Sequence, residues 1–149
     1  MAEKFKVYTH CLELLESKIN SLVSDIKSFQ EASNNDTKSS AGDKFETNRA
    51  MMNLEKEKAA FQLDELQKMR ETFLKIKPNA KHDKIQLGSF ISCNLGKFYF
   101  SVGLGKIQVE EEQFMAISLA SPLGKELLGK MVGDKIAFNG REVEILELR

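Results

Sequence analysis

The stretch SSAGDKFETNRA, residues Ser39–Ala50, separates two long segments of heptad-like spacing, and its reading decides whether the chain doubles back there. Before it, apolar residues fall at Tyr8, Cys11, Leu15, Ile19, Leu22, Ile26 and Phe29. Steps of three and four place these on one narrow helical stripe, as in a coiled-coil seam. The run EASNNDTKSS, residues 31–40, then substitutes small polar residues and predicts a turn or loop. After Gly42 the pattern resumes, with Phe45, Met52, Ala59, Leu66 and Phe73 spaced by sevens. Glu55, Gln62, Met69 and Ile76 fill the companion positions, so the seam should be wet towards the turn and apolar at its far end. Two such helices joined by a short polar link pack antiparallel. A helix of about thirty residues spans ~45 Å, more than the width of a domain this size, which predicts a projecting hairpin.

Within the quoted stretch, Asp43 and Glu46 carry two readings. Asp43 at a helix start with Glu46 three residues on makes a capping box, a stabilisation of ~1 kcal/mol. The same carboxylates at the outer end of a hairpin offer hard oxygen ligands to a divalent ion. A capping carboxylate keeps a spare oxygen, so the two readings coexist.

Beyond the second helix, Pro78 and the run KPNAKHD predict a helix stop and a linker. The period then changes. KIQLGSFISC, KFYFSVGL and KIAFNGREVEILEL are rich in Ile, Val, Phe and Tyr with partial alternation, as strands are. Asn139-Gly140 predicts a tight hairpin turn, Ser121-Pro122 a helix N-cap with proline in the first turn, and Gly129 a helix stop. The fold class expected is α+β: a coiled-coil hairpin over 1–77, a linker over 78–84, and a small sheet domain with one short helix over 85–149.

Lys and Arg match Asp and Glu at 22 each, so no net field draws the chain to nucleic acid. MAEKFKVYTHCLELLES has no continuous apolar core, which argues against a signal peptide or membrane span at this end. Cys11 and Cys93 form no CxxC pattern and read as reduced thiols of a cytoplasmic protein. His10 and His82 stand alone, and no zinc ligand set is visible. VGLGK, Val102–Lys106, lacks the spacing and hydroxyl of a phosphate loop and reads as a hairpin or strand end. The run Glu110-Glu111-Glu112 reads as a solvated turn edge. No grouping for covalent catalysis is present.

Two segments resemble the Gre family of transcript-cleavage factors. GDKFET, Gly42–Thr47, resembles the family's acidic tip motif. Ile117–Leu148, ISLASPLGKELLGKMVGDKIAFNGREVEILEL, is similar to its Ile-Ser, Ser-Pro, Leu-Gly-Lys and Gly-Asp signature. The resemblance implies an antiparallel coiled coil followed by an FKBP-like domain that docks on RNA polymerase, with Ser121, Pro122, Gly124 and Lys125 in the docking region. It implies a monomer without membrane attachment, acting on nascent RNA in backtracked complexes and not itself an enzyme. Carried over by position, Asp43 and Glu46 would help hold a magnesium ion bound mainly by the polymerase. Lys44, Thr47 and Arg49 depart from the residues common at the tip, and Arg49 lies where it could pair with Glu46. The same architecture serves regulators that occupy the polymerase channel without stimulating cleavage. A coiled-coil adaptor or chaperone arm is a further alternative, which would need an exposed apolar stripe. Prolyl isomerase activity would rest on fold analogy alone.

Overall fold

The computed structural model describes residues 3–39 and 43–149, excluding the side chains of 33, 35–39 and 43–45. Two long helices come first, α1 (Lys4–Ser39) and α2 (Asp43–Phe73). A six-stranded sheet follows, of β1 (Phe90–Cys93), β2 (Gly96–Ser101), β3 (Gly105–Val109), β4 (Glu112–Ser118), β5 (Lys135–Phe138) and β6 (Arg141–Leu148). The short helix α3 (Pro122–Leu127) sits between β4 and β5 in sequence. The chain divides into two compact units: residues 14–70, and residues 1–13 together with 71–149.

Residues 31–39, expected as a turn, continue α1 as helix. No glycine or proline interrupts them, and each Ser, Asn or Asp costs only about half a kcal/mol against Ala in a helix. Gln30 Nε2 donates to Asn34 Oδ1 one turn ahead at 3.2 Å, which favours the helical path. At its other end the pair also departs from expectation. α2 stops at Phe73, five residues before Pro78, and tightens into three-residue turns through Lys75 N–H to Thr72 O and Ile76 N–H to Phe73 O. Tightening lets Phe73 and Ile76, 0% and 4% exposed, both turn inward.

In the 14–70 unit the helices run antiparallel. Arg70 Nε bonds Glu16 Oε1 at 3.1 Å, and Lys56 Nζ bonds Gln30 Oε1. Fourteen residues forward along α1 thus correspond to fourteen back along α2. The predicted seam residues Leu15 and Ala59 are buried, and Ile19, Leu22, Ile26, Phe29, Met52 and Leu66 are half-buried. The companion set holds at Met69 and Ile76, half-buried and buried, and departs from expectation towards the turn. Glu55 and Gln62 are exposed, whereas Lys56, Leu63 and Arg70 turn towards the partner. Long cationic side chains lie their stems along a seam while their heads reach acceptors across it.

The strand order is β3-β4-β2-β1-β6-β5, antiparallel throughout except for β2 beside β4. β3 lies outside β4, so VGLGK is a strand connection and not a hairpin. Asn139 and Gly140, at φ 51° and 78°, make the predicted turn closing Phe138 against Arg141. Alternation along β1 and β2 sends side chains to two faces. Ile91, Phe98 and Phe100 join Leu127 of α3, Ile85, Val143 and Ile145 on one face. On the other, Phe90, Tyr99 and Phe114 form a ring cluster with centroids 5.3–6.2 Å apart. The first turns of α1 cover this second face. Val7 and Cys11 are fully buried there, and burial, with the Cys11 and Tyr8 groups adding, raises the Tyr99 pKa. Tyr8 stacks on Phe73 at 4.9 Å. A strand run as apolar as FYFSV is what a sheet covered on both sides requires.

Candidate functional site

The acidic pair begins α2. Asp43 is its first helical residue, and its side chain lies outside the described residues, so the predicted capping contact does too. Glu46, one turn on, is exposed. Residues three apart in a helix share a face. The antiparallel register puts this turn at the end of the pair opposite Glu16 and Arg70. Arg49 is also exposed, and among the described residues it makes no ion pair with Glu46. Among the described residues no group of three or more His, Cys, Asp or Glu is gathered as metal ligands, and no helix is long and apolar enough to cross a membrane.

Ser121, Pro122, Gly124 and Lys125 come together in the turn from β4 into α3. Ser121 Oγ accepts from Gly124 N–H at 3.1 Å and donates to Ser118 O at 2.6 Å, which caps the helix and ties it to the strand end. Pro122 occupies the first turn, where its missing N–H costs nothing. Gly124 is fixed by close approach: a Cβ there would meet Ser118 O at 2.3 Å and Leu119 Cα at 2.8 Å. Pro122 and Lys125 face solvent. The turn thus combines a rigid backbone with an exposed cation.

The acidic run is divided. Glu110 and Glu111 are exposed turn residues, Glu110 at φ 58°, and Lys6 Nζ meets Glu110 Oε1 at 2.9 Å. Glu112, expected on a solvated edge, is instead 7% exposed at the start of β4 and bonded by Lys97 Nζ at 2.8 Å. Strand alternation turns it inward with Phe114 and Ala116. Both cysteines are buried, and burial pushes the Cys11 thiol up to about 12, far from nucleophilic use at neutral pH.

Two surfaces lie outside the sequence reading. On the helical pair, Met51, Leu54 and Phe61 of α2 are 61%, 52% and 68% exposed, and Val23 of α1 is 49% exposed. In the sheet unit the segment after α2 carries Lys75, Lys77, Lys81 and His82 into one groove. Its signal was present as three lysines and a histidine within eight residues. This segment, read as a linker, is bonded into the unit through Lys4 Nζ to Ala80 O at 2.7 Å and His82 Nδ1 to Ser89 Oγ at 2.7 Å. Burial, with the Arg149 charge adding, holds the Lys4 amine down to about 8.

No protein-family profile matches the chain, and no curated protein matches it significantly.

Proposed function

We propose that the protein is a Gre-like transcription elongation factor, which enters the secondary channel of RNA polymerase and stimulates the polymerase to cleave backtracked RNA. One observation carries the reading: α2 begins at Asp43, so the backbone of Asp43 and the exposed Glu46 share one helical turn at an end of an antiparallel helix pair. The sheet unit, read as FKBP-like, is the docking part, with the Ser121–Lys125 turn at the contact. Its rigid cap and the exposed Lys125 support that assignment.

The chain lends groups to another molecule's catalyst and is not the nuclease. An exposed helical carboxylate fits magnesium, which keeps several waters and takes one or two protein carboxylates. Held mainly by the polymerase, that ion supplies activation of water and neutralises charge at the leaving oxygen. Asp43 and Glu46, three residues apart at the start of α2, are the carboxylates that the chain lends. Glu46 is not engaged by Arg49, so its carboxylate is available to that ion.

Backtracked polymerase complexes, incubated with and without the protein, test the reading. Asp43→Ala and Glu46→Ala are each expected to lower stimulated RNA cleavage on the order of tenfold or more, as loss of metal support does. Full stimulation by both variants would remove the ligand-lending role. Competition for polymerase without any stimulation by the unmutated protein would make it a channel regulator.

The exposed Met51, Leu54, Phe61 and Val23 favour a second reading, in which the helical pair is an adaptor or chaperone arm. Replacing Phe61 with Ser separates the two. A cleavage factor keeps its activity, and an apolar arm loses partner capture.

A further inference from the structure

A groove of about 610 Å³ opens in the sheet unit, lined by Lys75, Lys77, Lys81 and His82. Leu87, Leu119 and Leu128 supply most of the remaining lining, and no carboxylate contributes to it. Acids and bases balance over the whole chain, so this is a local excess of positive charge. Among the described residues, Lys75, Lys77 and Lys81 enter no ion pair. A cation just past a helix C-terminus is favourable on its own account, which explains Lys75 after α2. It does not explain Lys77 or Lys81.

The histidine is oriented from behind. Ser89, fully buried, accepts from Gln86 N–H at 3.0 Å, and its Oγ lies 2.7 Å from His82 Nδ1. That contact occupies Nδ1 and leaves Nε2 for the groove that the ring lines. Three ammoniums suit several anionic oxygens, and the leucines suit an apolar body attached to them. The volume falls within the ~300–1,000 Å³ of small-molecule sites. Grooves that hold nucleic-acid strands stack successive bases on broad aromatic rings, and no Phe, Tyr or Trp lines this one.

We propose that the groove binds a nucleoside polyphosphate, its phosphates on Lys75, Lys77 and Lys81 and its nucleoside against Leu87, Leu119 and Leu128. The site uses neither Asp43 nor Glu46, so it stands or falls apart from the polymerase reading.

Calorimetric titration of the full chain at low and moderate salt tests it, with ATP, inorganic tripolyphosphate and a short oligouridylate as probes. ATP should bind at least about tenfold more tightly than tripolyphosphate. The double variant Lys77→Ala, Lys81→Ala should weaken both at least about tenfold, since each charge-assisted bond carries roughly that factor. Leu128→Ser should weaken ATP alone. All three side chains are exposed, and circular dichroism confirms that the variants stay folded. The proposal is overturned if the unmutated protein ignores ATP, if tripolyphosphate binds equally well, if oligouridylate outcompetes ATP, or if the lysine variant binds unchanged.

Discussion

The helical pair and the sheet unit are held together by different amounts of buried surface. Among the described residues of 14–70, Leu15 and Ala59 alone are buried apolar side chains. The sheet unit buries Phe73, Phe90, Phe98, Tyr99, Phe100 and Phe114, with aliphatic residues on both faces. Apolar burial contributes roughly 25 cal/mol per Å², so the sheet unit carries most of the stability. The pair is held by a thin seam, helical propensity and a few polar bridges such as Glu16–Arg70. A thin seam frees most of its surface residues for work other than folding.

The largest test of that contrast is Phe100→Ala. Removing a ring from the doubly covered sheet should cost about 3–5 kcal/mol, read as a lower urea midpoint. A loss below about 1 kcal/mol would show that the sheet is not the stabilising part. Gly124→Ala comes next, at about 1–3 kcal/mol, because the atoms its Cβ meets are backbone of Ser118 and Leu119 and do not swing aside. Leu66→Ala, at a half-buried seam position, should cost about 1 kcal/mol. Hydrogen exchange should then show amides of 14–70 losing protection while β1 and β2 keep theirs. Equal loss in both regions would merge the two into one cooperative unit.

The smallest effect is a pH dependence confined to the sheet unit. Burial first, and the Lys4 charge second, hold the His82 pKa below its ordinary 6.5, against the pull of Asp83. The unfolded chain therefore takes up a proton before the folded one does. The stability this contributes is present above pH 6.5 and is lost as pH falls from there through the folded pKa. The ring is half-buried and a single group is involved, so the change is slight. Urea midpoints at about pH 7.5 and 5.5 should converge in His82→Gln relative to the unmutated chain.

The sequence made the seam at Met52, Ala59 and Leu66 legible because seven-residue spacing has one geometric meaning. Asn139-Gly140 and Ser121-Pro122 were legible because local chemistry fixes turns and caps. The companion seam was misread at Glu55 and Gln62, since an apolar search overlooks Lys56 and Arg70, whose stems pack while their charges reach across. Residues 31–39 were misread because polarity resembles a loop, although helix ends only where something breaks it. The cover of α1 over Phe90 and Tyr99 was hidden, because no local pattern records which distant strand a helix end will meet. Of the acidic pair, the motif was visible and Glu46 is exposed as expected. The lysine groove was written in the sequence as a charge cluster but lay across the expected end of the hairpin and the linker.

The division of the chain has a consequence for how it is made. Residues 1–13 and 71–149 share one unit, so the arm is in effect an insertion within the sheet domain. During synthesis the first turns of α1 wait for their partners until Phe90, Tyr99 and Phe114 have emerged. Val7 and Cys11 stay uncovered until then, an interval in which a nascent chain is exposed to misassembly.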